Sequence, residues 1–171
     1  MNPRLLALVL ALGAAPALAG EPRPLAEATL VRPDGKITGH ARFLPRSPGV
    51  ALEIEVWGVA PGPHGLHLHA VGRCDGPDFA SAGPHLNPAG HEHGNLNPNG
   101  SHLGDLPNVV ADDKGRISAT IRSGTRPFKL MSDVLDKDGS ALVLHATADD
   151  YTTDPSGNSG ARIACGIFAR P

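Results

Sequence analysis

ITGHARFLPRSPGVALEIEV, residues 37–56, is the stretch of sequence that decides the fold. In each half, apolar residues or glycine occupy every second position: Ile37, Gly39, Ala41 and Phe43, then Val50, Leu52, Ile54 and Val56. Mostly polar or charged residues lie between them, and this alternation predicts two half-buried β-strands. The intervening Pro45-Arg46-Ser47-Pro48-Gly49 has the composition of a turn.

The same succession of short strands and turns continues along the chain. Turn signals recur at residues 33–35, 112–115 and 136–139. Further strands are predicted near residues 26–32, 64–70, 116–122, 141–146 and 162–168. The 21 glycines and 17 prolines are spread without a period, and no window shows a helical pattern or an internal repeat. We therefore predict an all-β sandwich or barrel.

The first nineteen residues, MNPRLLALVLALGAAPALA, have the layout of a secretory signal peptide. Arg4 precedes an apolar stretch, and small residues lead to a cleavage point after Ala19. The apolar stretch is too short to cross a bilayer, so a membrane-spanning helix is disfavoured. We expect residues 1–19 to be removed and residues 20–171 to form a single domain.

Charge and cysteine content indicate the compartment and the kind of partner. Removing Arg4 would change the net charge from −2 to −3. A mildly acidic protein is not expected to bind nucleic acid or anionic lipid. Cys74 and Cys165 are the two cysteines of the chain. In an oxidising compartment such a pair predicts a disulfide, and two cysteines alone are a weak reason to propose a metal–thiolate site.

Three histidines lie within HGLHLH, residues 64–69. Side chains alternate between the faces of a strand, so His67 and His69 project from one face and form a preformed pair of metal ligands. His64 lies an odd number of positions from both His67 and His69, so it does not share their strand face. It is interpreted as structural. The alternative for the pair is two solvated surface histidines.

Regular patterning is absent from Gly72 to Leu106, which is typical of a functional or disordered loop. This segment carries His85, His91, His93, His102 and Asp105. Three imidazoles and one carboxylate would complete a closed tetrahedral zinc site, which would order the loop. We interpret His91 as a solvated loop residue.

His145 ends the apolar run Ala141–Leu144 and is followed by Asp149 and Asp150. A metal-binding histidine usually donates a hydrogen bond from its second ring nitrogen to a carboxylate. An aspartate here is therefore expected to orient a ligand. The competing interpretation of His145 is a core histidine at the end of a strand.

GPHGLHLH, SAGPHLNP, HLGDLPN, LVLHATADD and GNSGARIACG occur in this order over roughly residues 57–168. They resemble the signature segments of the copper/zinc superoxide dismutase family. The resemblance implies a Greek-key β-barrel or sandwich of about eight antiparallel strands with long metal-binding loops. It also implies an enzyme that converts superoxide to dioxygen and hydrogen peroxide by alternate reduction and oxidation of copper. Together with the signal-peptide pattern, it implies an exported bacterial protein of the periplasm.

The resemblance also implies the two metal sites. Copper would be bound by His67, His69, His85 and His145. Zinc would be bound by His85, His93, His102 and Asp105. His85 would be shared between the metals as an imidazolate and would donate a proton during turnover.

Three further roles are carried over from the family. Asp149 would accept hydrogen bonds from the outer ring nitrogens of His67 and His93. Arg162 would neighbour copper and attract superoxide, and Cys74 with Cys165 would form the family's internal disulfide.

Two departures from the family leave details open. DDYTTDPSGNSG, after His145, contains no lysine, so Arg162 or other surfaces must attract the anion, and Ser156 stands where many relatives have threonine. The length of residues 74–85 varies among relatives, which leaves monomer and homodimer both open. A non-enzymatic exported copper/zinc-binding domain is the main alternative, and a zinc hydrolase is disfavoured because each candidate zinc set is filled to four ligands.

Overall fold

The computed structural model describes residues 22–123 and 127–171. The predicted signal peptide lies outside these ranges. The described part contains nine strands: β1 (Ala26–Val31), β2 (Ile37–Pro45), β3 (Val50–Trp57), β4 (Gly62–His64), β5 (Leu66–His69), β6 (Val109–Ala111), β7 (Arg116–Ser123), β8 (Ala141–His145) and β9 (Arg162–Ile167). A 3-10 helix covers Ala80–Ala82 and one α-helix, α1, covers Pro127–Val134. Within the same ranges, no helix is long and apolar enough to cross a membrane.

Seven strands form one antiparallel sheet in the order β5-β8-β9-β1-β2-β3-β7, and β4 and β6 form a separate pair. Several neighbours are distant in sequence, because β9 returns to β1 and β8 returns to β5. The sheet curls around the main apolar core, and a smaller apolar cluster around Phe79 and Val143 is separate from it. The all-β prediction is confirmed, and the strand count is close to the expected eight.

The opening stretch forms β2 and β3, paired in continuous register from Gly39–Val56 to Pro45–Val50. Ala41, Phe43, Leu52 and Ile54 are buried in the core, whereas Arg42 and Glu53 point outward and form an ion pair at 2.9 Å. For these residues, the alternation read from the sequence is the inner and outer face of the sheet. It fails at the start of β2, where Ile37 is 55% exposed and the neighbouring Thr38 is buried.

Helix α1 corrects the sequence prediction, which contained no helix. It has eight residues and buries Leu130 and Val134 against the core. Two buried positions one turn apart are too few to show a helical period in the sequence. An ion pair between Lys129 and Asp133 lies on its exposed side.

The predicted strand at residues 64–70 is interrupted at Gly65. His64 ends β4, which pairs with β6, whereas Leu66 begins β5, which pairs with β8. Gly65 itself bonds through its backbone to Thr147 and His145. His64 and His67 therefore belong to different strand pairs, which is why they do not share an environment.

A disulfide joins Cys74 to Cys165 in β9, with the two Cα atoms 5.7 Å apart. It closes a loop across 91 residues and anchors the irregular segment after β5 to the sheet. The predicted disulfide is confirmed.

Candidate metal centre

Strands β5 and β8 carry the first group of histidines. Leu66 and Leu68 pack into the core, so the alternate positions His67 and His69 face the other side of the sheet, where both are buried. His145 ends β8, beside the start of β5. The loop after β5 brings His85 alongside His69 in an isolated bridge.

These four histidines place one ring nitrogen each within 4.8 Å of the others. The converging atoms are buried and have no hydrogen-bond partner in the described structure: Nδ1 of His67 and Nε2 of His69, His85 and His145. Buried polar atoms are normally hydrogen-bonded, so four such nitrogens facing one point require another partner. A metal ion meets that requirement.

The opposite ring nitrogens orient these imidazoles. His69 Nδ1 donates to the Gly83 carbonyl at 2.8 Å, His145 Nδ1 donates to the Gly160 carbonyl at 3.1 Å, and His67 Nε2 donates to Asp149 Oδ2 at 2.8 Å. Each of these bonds places the proton on one nitrogen and leaves the lone pair on the nitrogen that faces the group.

A second group shares His85 with the first and adds His93, His102 and Asp105. The Nδ1 atoms of the three histidines lie 2.9, 3.0 and 3.0 Å from Asp105 Oδ1. Asp105 Oδ2 accepts hydrogen bonds from the amides of Gly94 and His102, which leaves Oδ1 to face the imidazoles. Gly104 allows this loop to lie against β5, because a Cβ there would collide with the Leu68 carbonyl oxygen.

His85 belongs to both groups through opposite ring nitrogens. Its Nδ1 lies beside Asp105, and its Nε2 is the unpartnered atom of the first group. Two metal ions bound here would therefore be joined by one imidazole ring.

A family model described as copper/zinc superoxide dismutase (SODC) matches residues 37–168 of this sequence. This chain belongs to the copper/zinc superoxide dismutase family. "Superoxide dismutase [Cu-Zn] 2" of Aquifex aeolicus is 38% identical over 149 residues, covering 84% of this chain and 85% of the relative. "Superoxide dismutase [Cu-Zn]" of Caulobacter vibrioides is 42% identical over 144 residues, covering 79% and 80%.

Two solved structures of similar sequence share the fold. A SOD-like protein from Bacillus subtilis superposes with a TM-score of 0.75 at 41% identity, covering 82% of this chain and 96% of that one. The Cu/Zn superoxide dismutase from Brucella abortus gives a TM-score of 0.66 at 27% identity, covering 83% and 98%. The bacterial relatives and the disulfide indicate an exported protein.

In this family member, burial keeps the imidazoles of His69, His85 and His145 uncharged. It lowers the pKa of His69 to about 2 and that of His145 to about 3, and neighbouring imidazoles add to both shifts. Burial likewise lowers the pKa of His85 to about 4, although Asp105 opposes the shift. All three side chains are therefore neutral at pH 7, as metal coordination requires.

The two buried aspartates are ionised despite their burial. Burial raises the pKa of Asp105, but hydrogen bonds from His85 and from the Gly94 and His102 amides outweigh it and lower the pKa below its usual value. Burial also raises the pKa of Asp149, and hydrogen bonds from His67, His93 and the Tyr151 amide lower it overall. Both carboxylates can thus offset the charge of bound cations.

Asp149 contacts one histidine of each group. Its Oδ2 accepts from His67 Nε2 at 2.8 Å, and its Oδ1 accepts from His93 Nε2 at 3.1 Å. Asp150, the other candidate in the sequence, is exposed and instead accepts hydrogen bonds within its own turn, including those from Thr153.

Arg162 lies at the start of β9 beside the first group. Its guanidinium donates to the carbonyl oxygens of Phe79 and Gly83 at 2.7 and 2.9 Å. Burial lowers its pKa, and the nearby Asp78 opposes that shift. Arg162 therefore provides a fixed positive charge next to His69.

The remaining predicted residues lie outside the two groups. His91 is exposed, with Nδ1 3.1 Å from the Ser101 carbonyl oxygen. Both ring nitrogens of His64 lie near backbone carbonyl oxygens, at 2.7 Å from His145 and 2.8 Å from Ala60. These positions agree with the interpretation of His91 as a loop residue and of His64 as structural.

Asn108 is a structural partner of the site that the sequence analysis did not single out. Its side chain exchanges two hydrogen bonds with the backbone of Asp149, at 2.8 and 2.9 Å. The available signal was its position in HLGDLPN, three residues after Asp105, but nothing local in the sequence identifies a partner 41 residues away.

Proposed function

We propose that this chain dismutates superoxide at a copper ion beside a structural zinc ion. The copper ligands are His67, His69, His85 and His145. The zinc ligands are His85, His93, His102 and Asp105. The observation that carries the proposal is the placement of His85, whose two ring nitrogens face different buried ligand groups.

The donor atoms of the first group fit copper. Four imidazole nitrogens form a donor set that suits Cu(II), and these four residues would hold the ion. The four converging nitrogens have no other hydrogen-bond partner in the described residues, so coordination satisfies all of them.

The donor atoms of the second group fit zinc. Three imidazole nitrogens and one carboxylate oxygen form a closed tetrahedral set, which is typical of a structural site. A closed site has no open position for an activated water, and this argues against a zinc hydrolase.

Bound copper would supply the one-electron chemistry, taking an electron from one superoxide to release dioxygen and returning it to a second, which becomes hydrogen peroxide with two protons. The chain positions and protonates the reactants. Arg162 attracts the anion and presents a planar set of donors beside His69. His85 would hold a proton at Nε2 and pass it to the second superoxide.

The zinc group determines the properties of His85. The contact between His85 Nδ1 and Asp105 Oδ1, at 2.9 Å, fixes the ring on the zinc side, so Nε2 would remain available to the copper side. The proposed role of zinc is therefore to hold this imidazole in place.

The cellular setting is also part of the proposal. Residues 1–19 act as a signal peptide, and residues 20–171 fold as one domain in the periplasm. The layout of the N-terminal sequence, the bacterial relatives and the disulfide support this. Monomer and homodimer both fit these proposals, and light scattering of the purified protein distinguishes them.

Metal analysis and a superoxide assay on purified metal-loaded protein test the function. We expect about one copper and one zinc per chain, from the two ligand groups, and superoxide removal that slows as ionic strength rises. A copper-loaded protein without dismutase activity would overturn the proposed enzymatic function and favour a non-enzymatic metal-binding domain.

A further inference from the structure

The segment after Asp149 lies against the loop that carries the zinc ligands. Three backbone amides of that loop donate to it. The His93 amide donates to Asp154 Oδ1 at 2.7 Å, the Leu96 amide donates to the Tyr151 carbonyl at 3.0 Å, and the Asn108 amide donates to the Tyr151 hydroxyl at 2.7 Å. Tyr151 and Asp154 thus hold a stretch of backbone that has no strand of its own.

The contact is close at the residue that follows His93. A Cβ on Gly94 would collide with the Tyr151 carbonyl oxygen, and Gly94 has a φ of +104°, which disfavours any other residue. The two segments therefore pack backbone to backbone, and no side chain separates them.

Among the proposed zinc ligands, His93 depends most on this contact. Its ring is fully buried between Asp105 and Asp149, whereas its backbone lies in an irregular loop. The copper ligands His67, His69 and His145 lie on paired strands and are fixed by the sheet. A hydrogen bond to the His93 amide therefore affects the position of a zinc ligand more than the positions of the copper ligands.

Asp154 makes this bond from outside both ligand groups. It is an exposed residue that lies 61 positions after His93. Its carboxylate is not one of the clustered donor groups of the two proposed metal sites. Hydrogen bonds from an amide to a carboxylate are stronger than those to a neutral acceptor.

We propose that Asp154 is a positioning residue for zinc: by accepting the His93 amide, it places the His93 ring for coordination before the metal arrives. This inference rests on the proposed assignment of His93 to zinc. Asp154 strengthens zinc binding selectively, because the copper ligands on β5 and β8 do not need it.

The test compares Asp154→Ala, Asp154→Asn and Asp113→Ala in the full mature chain. Asn keeps an amide oxygen that can accept the same bond, and Asp113 is an exposed aspartate of the β6–β7 turn that serves as the matched control. The metal-free proteins are titrated with Zn²⁺ alone against a chromophoric chelator, and with Cu²⁺ alone in a parallel series. Amide exchange at His93 is followed by NMR.

Asp154→Ala should weaken zinc binding by about 10- to 100-fold, the usual effect of removing a group that orients a ligand. It should also accelerate exchange of the His93 amide and leave copper affinity unchanged. Asp154→Asn should restore most of the zinc affinity, and Asp113→Ala should behave like wild type.

Several outcomes would overturn the inference. They are unchanged zinc affinity in Asp154→Ala, an equal loss of copper affinity, or an Asn variant as weak as the Ala variant. If Asp154→Ala does not fold, Asp154→Glu supplies the same test, because a displaced carboxylate should lower zinc affinity and wild-type affinity would refute the role. Wild-type protein that binds no zinc would instead overturn the proposed function and this inference together.

Discussion

His69 and Arg162 share one hydrogen-bond acceptor. Both donate to the Gly83 carbonyl oxygen, at 2.8 and 2.9 Å respectively. A proposed copper ligand and the proposed anion-binding cation are thereby fixed relative to each other through one peptide group. The Cys74–Cys165 disulfide anchors the irregular segment that contains Gly83 to β9, and Arg162 is the first residue of that strand.

Arg162→Ala should lower the second-order rate of superoxide removal by about ten-fold or more, because it removes the fixed charge that attracts the anion. Arg162→Lys should retain part of the rate, since it keeps the charge but loses the planar fork that binds two carbonyls. The rates are measured at several ionic strengths on proteins of equal copper content. Equal activity in the Ala variant would remove the role assigned to this side chain.

His93→Ala and His91→Ala form a matched pair two residues apart. His93 is buried with the zinc group, whereas His91 is exposed, so only the first substitution should abolish stoichiometric zinc binding. Metal analysis after dialysis against zinc measures the difference. Zinc loss in both variants would indicate that the loop, rather than the ligand, had been disrupted.

Asp149→Asn should weaken binding of both metals, because Asp149 orients His67 in one group and His93 in the other. The expected loss is about 10- to 100-fold in affinity for each metal. Parallel zinc and copper titrations of the metal-free variant provide the measurement. A loss confined to one metal would contradict the bridging role.

Metal-free protein should lose stability as the pH falls from about 6.5 toward about 4. His69, His85 and His145 have lowered pKa values in the folded state, with His85 at about 4, whereas in the unfolded chain they take up protons near pH 6.5. The unfolded state therefore binds more protons across this interval, and protonation favours unfolding. Asp105 and Asp149 extend the loss to lower pH, because their pKa values are also lowered on folding.

Urea unfolding of metal-free protein at pH 7, 6, 5 and 4 measures this dependence. His85→Gln should show a shallower decline, and His91→Ala should follow the wild type. A free energy of unfolding that stays constant or increases over this interval would show that the buried imidazoles are not neutral in the folded state.

Replacing Cys74 and Cys165 together by serine should lower the free energy of unfolding by about 4 to 5 kcal/mol, the chain-entropy value for a loop of this length. Chemical denaturation of the double variant and of reduced wild type should give similar losses. Activity should also decline. The irregular segment after Cys74, whose Phe79 and Gly83 carbonyls bind Arg162, would lose its covalent attachment to β9. Unchanged stability in both samples would show that the bridge constrains the unfolded chain little.

The strands and several local features of the site could be predicted from the sequence. Period-two alternation located β2 and β3, and it placed His67 and His69 on one face, because side-chain direction in a strand depends only on neighbouring positions. Motif order indicated the family, and two cysteines allowed only one internal disulfide. Helix α1 and the break at Gly65 were missed, since the first is too short for a period and the second depends on which strand each half pairs with.

Tertiary structure alone decided how the distant parts meet. His145 joins His67 because β8 pairs with β5, and His85 reaches both ligand groups because its loop crosses the end of β5. The ring nitrogen that each histidine presents is determined by carbonyl and carboxylate partners far away in sequence, such as Gly83, Gly160 and Asp149. Hydrogen bonds act over about 3 Å in space and do not depend on separation along the chain. The contact between Asp154 and His93 therefore became visible only in the folded protein.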